Sequence, residues 1–174
     1  LLGKDPFPFD LLYWNGDSTR MPAAMHSFYL RKCYQENKLK DPGGIQLGGV
    51  DIDLTQIKTP VFILSTKEDH IAPWKATYAG TQLYSGPIKF VLSGSGHIAG
   101  VVNPPAKPKY GFWTYSRKVK DPDQWLAKAT HNEGSWWPEW EKWLKKRSGK
   151  QVPARTPGGA GYEPLAPAPG TYVK

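Results

Sequence analysis

Val61-Phe62-Ile63-Leu64-Ser65-Thr66-Lys67-Glu68-Asp69-His70 is answered by Ile88-Lys89-Phe90-Val91-Leu92-Ser93-Gly94-Ser95-Gly96-His97. Each half opens with a short apolar run bounded by turn signals, the pattern of a buried strand. Each then runs into a turn that carries an ionisable side chain, Asp69 in the first and His97 in the second. Between them Pro73 to Leu83 reads as a helix, with Pro73 tolerated in its first turn. Strand, helix, strand predicts an α/β chain with a parallel pair, and the two turns then lie at the same end of that pair. Acid first and histidine second is also the order of the last two members of a nucleophile–acid–base triad. A hydroxyl or thiol becomes a strong nucleophile when an imidazole takes its proton, and the imidazole needs a carboxylate to fix its tautomer and stabilise its charged form. Two of the three parts are present.

The flanking sequence is organised around this unit. Met25, Phe28, Tyr29 and Cys33 recur at helical spacing from Pro22 to about Leu39, and Asp41-Pro42-Gly43-Gly44 stops that helix. Ile45 to Leu54 alternates around Gly48-Gly49, which predicts a short hairpin or an extended excursion. After His97 the stretch from Asn103-Pro104-Pro105 to Tyr115 reads as irregular. Ser135-Trp136-Trp137-Pro138-Glu139 starts a last helix, with a capping serine, a proline in the first turn and an early acid. Trp136, Trp140, Trp143 and Leu144 share one face of it and predict packing on a sheet. From Gln151 the chain is rich in proline, glycine and alanine and reads as a largely disordered tail.

Composition bounds the function classes. The 174 residues carry a formal net charge of +8, which favours anionic partners such as a phosphate-bearing coenzyme A thioester. No helix-turn-helix, zinc-finger or RNP-like pattern supports nucleic acid. Lys142, Lys145, Lys146, Arg147 and Lys150 read as the solvated face of the last helix. No apolar run approaches the roughly 20 residues of a membrane helix. Leu1 is not an initiator methionine, and the start reads as a truncation. The single cysteine, Cys33, excludes an internal disulfide and a multi-cysteine zinc site, fits a reducing compartment, and leaves no metal centre expected.

Thr66-Lys67-Glu68-Asp69-His70-Ile71-Ala72-Pro73-Trp74 and Gly94-Ser95-Gly96-His97-Ile98-Ala99-Gly100-Val101-Val102-Asn103-Pro104-Pro105 together resemble the carboxy-terminal half of the class I polyhydroxyalkanoate synthases. Phe9-Asp10-Leu11-Leu12-Tyr13-Trp14-Asn15 resembles the aromatic motif of that family's lid. Tyr29-Leu30-Arg31, Gly49-Val50-Asp51-Ile52-Asp53-Leu54 and the terminal Ala166-Pro167-Ala168-Pro169-Gly170-Thr171-Tyr172-Val173-Lys174 match in the same order.

The resemblance implies a partial α/β-hydrolase fold: a lid or cap segment at 1–55, the carboxy-terminal part of the core at 56–150 and a Pro/Gly-rich tail at 151–174. It implies an acyltransferase that polymerises (R)-3-hydroxyacyl-CoA into polyester with release of CoA. The thioester is then the substrate, and no cofactor is expected. The implied partners are the growing polyester chain, the granule surface and a second copy in a homodimer. The implied location is the cytoplasm, at polyhydroxyalkanoate granules. Asp69 and His97 align with the family's catalytic aspartate and histidine. The family's Gly-x-Cys-x-Gly nucleophile turn is absent from these residues. In the family it lies upstream of the lid, before Leu1.

Other readings compete residue by residue. Asp69 also suits a loop carboxylate that caps the helix near Pro73. His70 reads as packed or hydrogen-bonded in the loop, because neighbours on an extended segment point apart. Cys33 lies in a helical run with no glycine turn to expose it, so a structural role is expected despite Arg31 and Lys32 beside it. Tyr13 and Trp14 either line a substrate entry or fill the lid. Two rivals to the whole reading are another esterase or depolymerase using serine, and a non-enzymatic Trp-rich granule-binding module.

Overall fold

The computed structural model describes residues 16–159 and 161–168, together with Gly3, Gly170 and Thr171. The aromatic segment Phe9 to Asn15, with Tyr13 and Trp14, lies outside the described residues, as do Tyr172, Val173 and Lys174. The chain divides into two units, one of residues 1–28 and 150–174 and one of residues 29–149.

In the first unit the described residues form all but the last residue of helix α1 (Ala23–Tyr29), since Tyr29 belongs to the second unit. From Gln151 to Thr171 the described residues form turns and no helix or strand, which is what their proline and glycine content disfavours. The helix expected from Pro22 to Leu39 is shorter than its periodicity suggests. After α1 come a π-helical turn (Leu30–Gln35) and a 3-10 turn (Lys38–Lys40), separated by Asn37 at a φ of 50°. Met25, Phe28 and Tyr29, which recur at helical spacing, are exposed.

The second unit is a mixed α/β layer structure. A two-stranded hairpin, β1 (Ile45–Leu47) and β2 (Val50–Ile52), turns on Gly48 and Gly49, which take φ of 56° and 81°. Both central residues of such a two-residue turn need positive φ, which glycine adopts without steric cost. The main sheet has the order β3-β4-β5-β6, built from β3 (Val61–Thr66), β4 (Ile88–Ser93), β5 (Phe112–Thr114) and β6 (Thr130–Asn132). β3 and β4 are parallel, as the sequence predicts, and pair in the register Val61↔Ile88 to Thr66↔Ser93. β5 and β6 add antiparallel strands on the far side of β4. The stretch expected to be irregular up to Tyr115 therefore contains a strand. Its three residues are too few for alternation to register.

Side chains alternate across the sheet, and both faces are covered. On one face Ile63, Phe90, Leu92 and Trp113 meet Trp74 and Tyr78 of α2 (Trp74–Ala79) and Trp125 of α3 (Pro122–Lys128). Three rings pack edge-on or tilted at 5.0 to 5.6 Å between centroids: Tyr78, Phe90 and Trp125. Pairs of this geometry contribute about 0.5–1.5 kcal/mol beyond the area they bury. The Tyr78 hydroxyl is not orphaned there, since it donates at 2.6 Å to the Val119 carbonyl. On the other face Phe62, Leu64, Val91 and Phe112 meet Trp136 and Trp137 at the start of α4 (Trp137–Lys145).

The expected tryptophan stripe does pack on the sheet. Trp136 and Trp143 lie 6.2 and 5.6 Å from the Phe62 ring, while Trp140 remains 41% exposed. Ser135 Oγ accepts the Trp137 N–H at 3.1 Å, but the N-cap of the helix is Trp136, so the serine lies one residue before the capping position expected for it. The basic residues of the last helix, Lys142, Lys145, Lys146 and Arg147, and Lys150 beyond it are exposed. Pro73 departs slightly from expectation, because it is the residue before the first turn of α2 rather than part of it.

Candidate active site

Parallel pairing carries β3 and β4 to the same end of the sheet, and the pairing continues past both strands. Lys67 N–H donates to the Ser93 carbonyl at 2.8 Å, and Glu68 N–H to the Ser95 carbonyl at 2.9 Å. The acid turn and the histidine turn are thus bonded to each other through their backbones before any side chain meets. Ser95 takes a φ of 66°, so the left-handed residue of Gly94-Ser95-Gly96 is the serine between the glycines. A non-glycine residue there costs on the order of 1 kcal/mol and persists where surrounding bonds over-determine it. Gly94, and Gly100 after the histidine, serve close approach instead. A Cβ on Gly94 would collide with the Tyr110 carbonyl, and one on Gly100 with the Gly94 carbonyl and the Thr66 methyl.

Within this frame Asp69 Oδ2 lies 2.8 Å from His97 Nδ1. The Asp69 side chain is 8% exposed and that of His97 45%. Asp69 Oδ1 accepts the backbone N–H groups of Ile71 and Ala72, each at 2.9 Å, and Thr66 Oγ1 donates to Oδ2 at 3.4 Å. Asp69 does not cap the helix near Pro73, whose N-cap Pro73 has no side-chain cap bond; Oδ1 instead closes its own turn through Ile71 and Ala72, while Oδ2 faces the histidine.

These bonds hold the Asp69 carboxyl down at about 2. The Ala72 N–H is the largest cause, opposed by partial desolvation and helped by His97 and the Ile71 N–H. At neutral pH the carboxylate has no proton to give, so His97 Nδ1 must be the donor. The lone pair of a neutral imidazole is then on Nε2.

The other sequence candidates separate cleanly from this pair. His70 is exposed on the turn, so of the two positions expected for it, packed or hydrogen-bonded in the loop, it is not the packed one. Cys33 is half-buried in the π-helical turn, with its thiol free. Among the described residues no group of three or more His, Cys, Asp or Glu side chains could hold a metal ion. No helix among them is long and apolar enough to cross a membrane. A half-open cleft of about 710 Å³ lies at the opposite end of β4, beside Ile88, and includes neither Asp69 nor His97.

Sequence reasoning did not single out Asn103, Trp136 or Trp137 as site supports. Asn103 is 1% exposed, and its side chain bonds Lys109 both ways, at 2.6 and 2.9 Å, closing the loop that follows the histidine turn. A polar residue between a histidine turn and a double proline is the signal that was available.

The fold and this pair define a mixed α/β protein that carries an ionised carboxylate and an imidazole at the carboxyl ends of adjacent parallel strands. No protein-family model matches the chain. It is similar to curated proteins along its whole length. A poly(3-hydroxyalkanoate) polymerase of Methylorubrum extorquens is 54% identical over 173 residues, 99% of this chain and 28% of that protein. The poly(3-hydroxyalkanoate) polymerase subunit of Rhizobium meliloti is 53% identical over 174 residues, 100% of this chain and 28% of the relative. That of Cupriavidus necator is 49% identical, over 100% of this chain and 30% of the relative. The chain belongs to the poly(3-hydroxyalkanoate) polymerase family, and it spans less than a third of the length of these relatives.

Proposed function

We propose that the chain is the carboxy-terminal part of the catalytic domain of a class I polyhydroxyalkanoate synthase with an α/β-hydrolase fold, and that Asp69 and His97 are two members of its triad. The observation that carries this reading is the 2.8 Å contact between Asp69 Oδ2 and His97 Nδ1 at the ends of adjacent parallel strands. Residues 1–55 then form a lid segment, 56–150 the end of the core, and 151–174 a tail.

In the intact enzyme His97 Nε2 takes the proton of a cysteine supplied by a part of the protein outside this chain. The thiolate attacks the thioester carbonyl of an (R)-3-hydroxyacyl-CoA, the tetrahedral adduct collapses, and CoA leaves as its thiol with the proton returned from His97. The acyl group is left on the cysteine. The hydroxyl of a second unit gives its proton to His97 and attacks that acyl group. One ester bond forms, the thioester bond to the cysteine breaks, and the cysteine leaves as its thiol with the proton returned from His97. Asp69 keeps Nδ1 protonated and stabilises the imidazolium that forms. This chemistry is complete with thiol, imidazole, carboxylate and thioester, and it calls for no cofactor or metal.

The net charge of +8 supports an anionic CoA substrate. The names of the relatives support a polymerase over a serine esterase or depolymerase, and the paired acid and histidine favour an enzyme over a granule-binding module. The partners on this reading are the growing polyester, the surface of cytoplasmic granules and a second copy of the intact enzyme.

Trapping the acyl-enzyme with labelled 3-hydroxybutyryl-CoA and mapping the modified peptide tests the assignment. Label on a cysteine outside residues 1–174 is expected. Label on Cys33 would overturn it.

A further inference from the structure

Trp136 touches the supports of both members of the pair. Its ring packs on Phe62 of the acid-bearing strand, 6.2 Å between centroids. Its indole N–H donates at 3.1 Å to the carbonyl of Val101, four residues beyond His97. Trp137 brings a second indole N–H to the same carbonyl at 2.9 Å. A carbonyl oxygen has two lone pairs, so both donors are satisfied at once.

Val101 closes the turn in which His97 lies. Gly100 N–H donates to the Gly96 carbonyl at 3.0 Å, and Val101 and Val102 N–H donate to the Ile98 carbonyl at 3.0 and 2.9 Å. Upstream, the buried Ser93 hydroxyl donates to the Gly100 carbonyl at 2.8 Å. The His97 side chain is 45% exposed, so packing around the ring contributes little to its aim. That aim depends on the Asp69 contact and on where the backbone of the turn is held. Filling the space between α4 and the sheet would need only two aromatic rings. It would not need both indole nitrogens to converge on one carbonyl oxygen.

We propose that Trp136 and Trp137 are positioning residues for His97: their paired indole donors fix the Val101 carbonyl, and through the turn that it closes they hold the imidazole against Asp69. This rests on the acid–base reading of the pair.

The test uses the intact polymerase. Both tryptophans are replaced by 3-benzothienylalanine, which keeps a bicyclic ring of the same shape and lacks the N–H, and in separate variants by phenylalanine; His97→Ala is run in parallel. Four quantities are read: the melting temperature, kcat and KM for CoA release from 3-hydroxybutyryl-CoA, and the exchange rate of the His97 Nδ1 proton by nitrogen-15 NMR. The double benzothienyl variant is expected to melt near wild type. Its kcat should fall by roughly tenfold to a hundredfold, as for sub-ångström misplacement of a reacting group, with KM little changed. The Nδ1 proton should exchange faster with water. Each single replacement should lose less, because one donor remains.

Wild-type kcat and wild-type proton exchange in the double benzothienyl variant would overturn the proposal. So would a loss confined to the phenylalanine variants and tracking their melting temperatures, since ring volume rather than the donor would then be what matters. An active His97→Ala variant would remove the acid–base reading, while faster Nδ1 exchange in the tryptophan variants would still establish the clamp.

Discussion

Asp69 Oδ2 and His97 Nδ1 stand 2.8 Å apart although 28 residues separate them in sequence. The distance is set by backbone rather than by side-chain reach, since the Glu68 N–H to Ser95 carbonyl bond already joins the two turns at 2.9 Å. Asp69 then divides its oxygens. One holds its own turn through Ile71 and Ala72, and the other faces the imidazole. A carboxylate so held has little freedom to leave its partner, which is what orienting a general base requires.

The first prediction concerns pH. The Asp69 carboxyl lies at about 2, held there first by the Ala72 N–H. A carboxyl depressed in the folded state stabilises it fully above the unfolded value of about 3.9 and loses that contribution as pH falls through the folded value. The gap in stability between wild type and Asp69→Asn should therefore be constant above about pH 5, narrow as pH falls, and be all but closed below about pH 2. Acid unfolding of the two proteins, followed by circular dichroism, measures it. A gap that stays open to the lowest pH would contradict the bonding described for Oδ1 and Oδ2.

The second concerns the two decoys. His70→Ala and Cys33→Ser should each leave CoA release by the intact polymerase close to wild type, because His70 is exposed and Cys33 sits in a π-helical turn. A large loss at either position, with the fold intact, would move the chemistry away from the strand-end pair.

A third addresses the core. Trp125 is 1% exposed and packs on Phe90 and Tyr78 across the sheet from α4. Trp125→Ala should cost about 3–5 kcal/mol, the usual range for emptying a buried aromatic site. Urea unfolding of the intact polymerase reads the loss. A cost under about 1 kcal/mol would mean that this face is not a packed core.

How much of this was legible in the sequence depended on length and on turn chemistry. β3, β4 and the Gly48-Gly49 hairpin were readable because each is a run of apolar or alternating residues closed by glycine or proline. Asp69 and His97 were readable because they follow such runs directly. β5 and β6 were not, since three residues carry too little alternation and Phe112-Trp113-Thr114 sits in proline-rich surroundings. α3 left a clear mark that went unread. Asp121 accepts the Gln124 N–H at 2.8 Å and Pro122 follows it, which is the signature of a capped helix start. The paired indoles on Val101 were not legible at all. Nothing local in Ser135-Trp136-Trp137 indicates which carbonyl, 35 or 36 residues away, will receive them.

A fourth prediction concerns residues 1–174 by themselves. β3 has β4 on one side and no partner on the other among the described residues, and Val61 to Leu64 are only half-buried. An apolar strand with a free edge favours association. The isolated chain should self-associate and release no CoA from 3-hydroxybutyryl-CoA. A monodisperse monomer that melts cooperatively and turns over the thioester unaided would contradict both expectations.

The central claim, that Asp69 is the orienting carboxylate and His97 the proton-transferring base of the reaction, is tested most directly by CoA release from 3-hydroxybutyryl-CoA in the intact polymerase carrying Asp69→Asn or His97→Ala. Each variant should fold as wild type and lose turnover by on the order of 10⁴-fold, as triad members do. A folded variant that keeps a tenth of the wild-type rate would remove that residue from the mechanism.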